Sequence, residues 1–97
     1  MTLAWQQQQQ QVSFDGELTR QTVASAWQQR RQWLPQRGDV VVDLAQVSKV
    51  DSAGVAFLIE VMAELKPEQR RLTLQQANQQ LREIVALSGV NDLLSLS

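Results

Sequence analysis

The chain has 97 residues, of which 43% are hydrophobic and 20% are charged, and its formal net charge is −1. That balance is typical of one globular domain and excludes a global basic field of the kind that holds nucleic acid or an anionic membrane surface. The chain contains neither cysteine nor histidine, which excludes disulfides and removes the usual zinc ligands and the commonest general base. We therefore expect a non-enzymatic domain with no metal and no cofactor.

Membrane and export signals are missing from the sequence pattern. No stretch approaches the roughly 18 uninterrupted apolar residues that a membrane span needs. The first residues lack the basic start and the apolar core of a signal peptide. We expect a cytoplasmic protein that associates with a membrane only through a partner.

Two strands joined by a glutamine-rich turn are the first predicted elements. The unbroken run Gln6–Gln11 lies between the short apolar segment Thr2–Gln6 and the alternating Val12–Phe14. These flanks favour a β-hairpin over a disordered polar tract. Asp15 and Gly16 then predict the end of the second strand.

A helix and a buried strand follow. Glu17–Leu34 is predicted to be helical, with Thr19 as its N-cap and Pro35 as its stop, because its apolar residues recur at spacings of three and four. After Gly38, the continuous β-branched run Asp39–Leu44 predicts a central strand covered on both faces.

The second helix is predicted to begin at Ser52 or Ala53 and to end near Lys66, before Pro67. Its apolar residues at helical spacing form a stripe that faces the core. The members of this stripe are Val55, Leu58, Ile59, Met62 and Leu65.

Phe57 and Val61 lie off this stripe, one helical turn apart. Glu60 and Glu64 lie beside them, which favours a solvent-reachable side and an apolar contact with a partner. If neighbouring elements cover the helix on several sides, both residues belong to the core instead. The pattern leaves the two interpretations open.

The last predicted elements are a strand over Arg71–Leu74 and a helix over Gln79–Leu87, which is capped by Asn78 and stopped by Ser88 and Gly89. The resulting order is β-β-α-β-α-β-α. It predicts an α/β fold with a mixed, mostly parallel sheet of about four strands, three helices and right-handed crossovers.

The segment that carries the functional prediction is Asp51-Ser52-Ala53-Gly54, where a buried strand leads into a helix. Small residues let another backbone or side chain come close, and the first amides of a helix give partial positive character. The segment is a helix cap, an anion site, or a docking point for a partner's acidic or carbonyl group. One glycine without an adjacent lysine fits neither a Walker A loop nor a dinucleotide-binding fingerprint.

The order of three landmarks resembles the STAS domain of anti-sigma factor antagonists. They are Gly16-Glu17-Leu18, the strand Val41–Leu44, and Val50–Gly54 before an apolar helix. The resemblance covers nearly the whole chain and implies a single STAS domain over residues 1–97.

Within that family, the positions of Trp5 and Trp27 and the overall spacing most resemble the small STAS subunits of phospholipid-transport ABC complexes. This resemblance implies binding to the transporter's ATPase subunit, and through it to the permease, at the cytoplasmic side of the inner membrane. It implies support of the complex's assembly and activity, and so of outer-membrane lipid asymmetry. The predicted partner-binding residues are Asp51, Ser52, Ala53, Gly54, Phe57 and Val61.

Two alternatives remain at this stage. Family members that are switched by phosphorylation usually carry the acceptor serine directly before the glycine, whereas this chain has Ala53 there and Ser52 one residue earlier. The resemblance therefore favours the transporter branch, with an antagonist that binds an anti-sigma kinase as the alternative. The second alternative is a domain that holds a small anion or a lipid headgroup at the same helix start.

Overall fold

Strands and helices alternate along the computed structural model, which describes residues 3–88 and 95–96. The strands are β1 (Leu3–Gln8), β2 (Gln11–Leu18), β3 (Val40–Val50), β4 (Leu72–Gln75) and β5 (Ser95–Leu96). The α-helices are α1 (Val23–Gln28), α2 (Ser52–Leu65) and α3 (Gln79–Ser88), and short 3-10 helices at Arg30–Gln32 and Lys66–Glu68 follow α1 and α2. The predicted order is confirmed, with a short fifth strand added.

The five strands form one sheet in the order β1-β2-β3-β4-β5. β1 is antiparallel to β2, while the remaining neighbours are parallel. This confirms the mixed, mostly parallel sheet and the glutamine turn, which consists of Gln9 and Gln10. The predicted stop at Gly89 and the first residues of the predicted first strand lie outside the described residues.

The helices cover one face of the sheet. Along β3 the side chains of Val40, Val42 and Leu44 are buried, whereas those of Val41 and Asp43 are only half-buried. The prediction that this strand is covered on both faces is wrong. From β2 onwards, each strand lies beside the preceding one and always on the same side of it. Right-handed connections between such strands place their helices on the same face of the sheet. We call the other side the open face.

The predicted helix Glu17–Leu34 is also wrong in extent, because β2 continues to Leu18 and α1 has only six residues. The hydroxyl of Thr22 donates to the carbonyl of Glu17 at 2.6 Å and accepts from the amide of Thr19 at 3.1 Å. Such side-chain bonds to the backbone stabilise a turn in place of a first helical turn. Thr22, not Thr19, is therefore the N-cap position of α1.

Aromatic rings fill the core between the sheet and the helices. Phe14 contacts Trp33 and Phe57 edge to face, with centroid distances of 5.2 and 5.9 Å. Phe57 is 4% exposed and Val61 is 1% exposed. The core interpretation of these two residues is confirmed and the exposed apolar contact is wrong, because β2 and α1 cover the side of α2 that carries them.

The start of α2 lies directly against the end of β2. The amide of Asp51 donates to the carbonyl of Leu18 at 3.2 Å. A Cβ atom built on Gly54 would lie 2.2 Å from that same carbonyl oxygen. Only glycine therefore allows the first turn of α2 to come this close.

The chain leaves α2 through a Schellman motif. The amide of Arg70 donates to the carbonyl of Leu65 at 3.2 Å, and the amide of Gln69 donates to that of Lys66 at 2.9 Å. Gln69 is left-handed, with φ of 58°. Glycine is the residue that normally occupies this position, because a side chain is strained there.

We predict that Gln69→Gly raises the free energy of unfolding by about 0.5–1 kcal/mol, because it relieves this strain. Gln75→Gly is the matched control, since Gln75 is an exposed glutamine in the extended backbone of β4. Glycine weakens a strand, so the control loses stability. Urea unfolding of both variants measures the difference, and equal effects of the two substitutions would contradict the strain argument.

We predict that Gly54→Ala lowers the free energy of unfolding by about 2–3 kcal/mol, because the added methyl group overlaps the carbonyl of Leu18. Alanine normally stabilises a helix relative to glycine by about 1 kcal/mol. The reverse substitution Ala63→Gly, at an exposed position of α2, shows whether that normal preference holds in this helix. A stabilised Gly54→Ala protein in thermal or urea unfolding would refute the close approach.

Candidate functional site

The candidate site lies where β3 ends and α2 begins. Val50 is the last residue of β3, Asp51 has an extended backbone, and Ser52 is the first helical residue. The predicted helix start at Ser52 is confirmed. Because β2 and β3 are parallel, the loop that follows β2 lies at the same edge of the sheet.

The carboxylate of Asp51 joins α2 to that loop. Its Oδ1 accepts from the amide of Gly54 and its Oδ2 accepts from the amide of Arg20, each at 3.0 Å. Burial alone raises the pKa of this carboxyl. The backbone hydrogen bonds from Arg20, Gly54 and Ala53, together with the charge of Arg20, outweigh burial and lower the pKa below its ordinary value of 3.8. Asp51 is therefore ionised at neutral pH.

An ionised carboxylate at this helix start opposes the binding of a second anion. The amide of Gly54, which an anion would use, already donates to Asp51. A bound phosphate or lipid headgroup would also meet the negative charge of Asp51. The geometry therefore favours the cap and docking interpretations of the segment over an anion site.

Ser52 is the exposed member of the segment. Within residues 3–88 its hydroxyl makes no hydrogen bond, so it is free to donate to or accept from a partner. Ala53 is half-buried, and Gly54 is buried against β2. The structure thus places Ser52 and Ala53 at the surface, and Asp51 and Gly54 beneath them as their support.

A shallow apolar groove runs from Ala53 between α1 and α2. Its volume is about 350 Å³. The residues that line it are Val23, Ala24, Trp27, Ala53, Ala56, Phe57 and Glu60. Phe57 is almost fully buried and forms the floor, while Glu60 is the charged member of the rim.

The position of Trp27 shapes one wall of this groove. Its ring meets Phe57 edge to face at 6.4 Å, and the guanidinium of Arg30 lies 4.3 Å from its centroid. The sequence prediction missed Val23, Trp27 and Ala56 as groove residues. The spacing of Val23 and Trp27 indicated only the apolar side of one helix, and Ala56 lies off the predicted stripe of the next. The gap between two helices is not visible in either helix alone.

The start of α3 is tied to the same edge of the sheet. Asn78 caps α3 as predicted, because its Oδ1 accepts from the amide of Leu81 at 2.8 Å. Its Nδ2 donates to the carbonyl of Val47 at 3.3 Å, and Gln80 Oε1 accepts from the amide of Val50 at 2.8 Å. The last residues of β3 are thus held from α3 as well as from β2.

Among residues 3–88 and 95–96 there is no group of three or more histidine, cysteine, aspartate or glutamate side chains that could hold a metal ion. No helix within the same ranges has both the length and the apolar character needed to cross a membrane.

Comparison with known proteins agrees with the resemblance noted in the sequence. Residues 1–95 match the family model described as "Mlab, STAS domain". Proteins named "Intermembrane phospholipid transport system binding protein MlaB", from Escherichia coli (strain K12) and Shigella flexneri, are each 28% identical over 86 residues. Those residues cover 89% of this chain and 87% of each relative.

Solved structures of similar fold include anti-sigma factor antagonists. Unphosphorylated SpoIIAA has a TM-score of 0.73 and is 19% identical. The match covers 98% of this chain and 87% of the SpoIIAA chain. A putative anti-sigma factor antagonist from Thermotoga maritima has a TM-score of 0.69 and is 11% identical. That match covers 97% of this chain and 84% of the other. At these identities the structures show the fold, and the family follows from the sequence match over residues 1–95. The chain belongs to the MlaB family of STAS domains.

Proposed function

We propose that this chain is a non-enzymatic accessory subunit that binds the ATPase subunit of an Mla-type phospholipid ABC transporter and supports its assembly and activity. The observation that carries the proposal is the free, exposed hydroxyl of Ser52 directly before Ala53, which lines an apolar groove. The name shared by the two relatives, a binding protein of an intermembrane phospholipid transport system, supports it.

The docking face consists of Ser52 and the groove that begins at Ala53. Ser52 offers one hydrogen-bonding group, and the groove offers an apolar surface. Glu60 places a negative charge on the rim. An apolar centre with a polar rim is the usual composition of a protein–protein interface. The complementary surface on the ATPase would carry an apolar side chain for the groove and a polar group for Ser52.

Rigidity of the docking face favours binding. Asp51 and Gly54 fix the first turn of α2 on β2, so Ser52 needs little reorganisation when a partner binds. We infer that this domain binds the active conformation of the ATPase more tightly than the alternatives and so increases its population. The domain would then lie at the cytoplasmic side of the inner membrane through this partner, in indirect contact with the permease, and without inserting into lipid or binding nucleic acid.

The residue directly before Gly54 cannot serve as a phosphorylation switch. That residue is Ala53, which has no hydroxyl to accept a phosphate. A kinase-controlled contact would have to act instead at Ser52, whose hydroxyl is exposed one residue earlier.

We predict that Ser52→Arg weakens association with the ATPase at least about 10-fold and lowers the ATPase rate of the purified transporter. A long charged side chain within the contact must lose its hydration without gaining a partner. Co-purification of the transporter and its steady-state ATP hydrolysis measure the two effects.

The matched control is Gln11→Arg, which adds the same charge at an exposed position on the open face of the sheet. Thermal unfolding establishes that both variants remain folded. Intact co-purification and an unchanged ATPase rate for Ser52→Arg would overturn the proposal, and so would equal losses for the two variants.

A further inference from the structure

The glutamine-rich strand β1 has no part in the docking face, and it forms one edge of the sheet. Its six residues pair with β2 in a regular register without a bulge. Natural edge strands are usually protected from pairing by charged side chains, proline or bulges. The segment Leu3–Gln8, with the sequence LAWQQQ, has none of these. β1 is therefore a regular and uncharged edge.

The hairpin geometry determines which backbone groups lie on the free side of β1. Gln8 pairs with Gln11 across a two-residue turn. The pair that closes such a turn exchanges hydrogen bonds, and the direction of the groups alternates along an antiparallel strand. The groups of the even-numbered residues in β1 therefore face β2. Those of Leu3, Trp5 and Gln7 face outwards.

This edge is held in place at both its tip and its middle. Gln10 Nε2 in the turn donates to the carbonyls of Arg37 at 2.7 Å and Asp39 at 2.6 Å. Trp5 is half-buried and packs against the core. The outward groups are thus presented in strand conformation before any partner binds, which reduces the entropic cost of pairing.

We propose that β1 pairs antiparallel with β1 of a second copy of this chain, about a two-fold axis at Trp5, to give one continuous sheet. This register pairs all three outward-facing residues, with Trp5 opposite itself and Leu3 opposite Gln7. A shift of two residues in either direction loses one of these pairs, and a shift towards the turn also brings the left-handed Gln9, with φ of 55°, into the ladder. The proposal is independent of the proposed function.

The chemistry of the edge favours a second copy over a different protein. A glutamine amide is both donor and acceptor, so Gln6 and its symmetry mate, which this register places diagonally across the axis within reach of long side chains, complement one another. The absence of charge along β1 removes the repulsion that identical strands would otherwise experience. The interface is small, so we expect a dissociation constant on the order of 100 µM.

Disulfide trapping tests the register directly, because the chain has no cysteine of its own. In the proposed dimer Ala4 lies opposite Gln6 of the second copy as a non-hydrogen-bonded pair, with Cα atoms about 4.5 Å apart, which suits a disulfide. The double variant Ala4→Cys/Gln6→Cys is expected to form a covalent dimer under mild oxidation. Each single variant faces its own symmetry mate diagonally, at about 8 Å, and should cross-link at least about 10-fold more slowly.

Sedimentation velocity tests the unmodified chain between about 10 µM and 1 mM, a range that brackets the affinity of a small interface. Gln6→Lys places two lysines diagonally across the two-fold axis and should raise the dissociation constant about 2- to 3-fold. Gln75→Lys adds the same charge in β4 and should match the unmodified chain. A chain that stays monomeric throughout, equal weakening by both lysines, or cross-linking of single and double variants at the same rate would each overturn the proposal.

Discussion

The carbonyl group of Leu18, at the end of β2, is the contact on which the rest of the structure depends. It accepts the amide of Asp51 at 3.2 Å, and a Cβ on Gly54 would lie 2.2 Å from it. One peptide group therefore fixes both the end of β3 and the axis of α2 relative to the sheet. The carboxylate of Asp51 extends the same junction to the loop after β2 through the amide of Arg20. Displacing this carbonyl would disturb two strands and a helix together.

The docking face follows from that junction. With its first turn held on β2, α2 places Phe57 beneath α1, where Trp27 meets it edge to face at 6.4 Å. The gap left between the two helices is the apolar groove, which Ala53 helps to line, and Ser52 is the exposed residue directly before Ala53. The residues that hold the site and the residues that a partner would touch are therefore different. We expect substitutions of Asp51 or Gly54 to act mainly through folding, whereas the proposal places the effect of Ser52 substitutions in the contact with the partner.

Local signals explain what the sequence could predict. Asp51 and Asn78 cap helices with their own side chains, and Gly54 permits a close approach that another residue would block, so the starts of α2 and α3 were predictable. Non-local contacts explain the errors. β2 continues past Gly16 because Glu17 and Leu18 pair with Lys49 and Val50 of β3, and the burial of Phe57 depends on α1 and β2. The same holds for the groove, which neither helix specifies alone.

Several glutamines show that tertiary contacts override the backbone preference of a residue in this chain. Among the described residues, the three non-glycine positions with positive φ are Gln9, Gln69 and Gln76. Each would be easier for glycine, by roughly 1 kcal/mol. Surrounding contacts nevertheless hold the chain there, as the bonds of Gln10 to Arg37 and Asp39 do beside Gln9. A neutral side chain with little preference of its own accepts the conformation that its neighbours impose. The same lack of charge leaves the outer edge of β1 without the repulsion that keeps most edge strands apart.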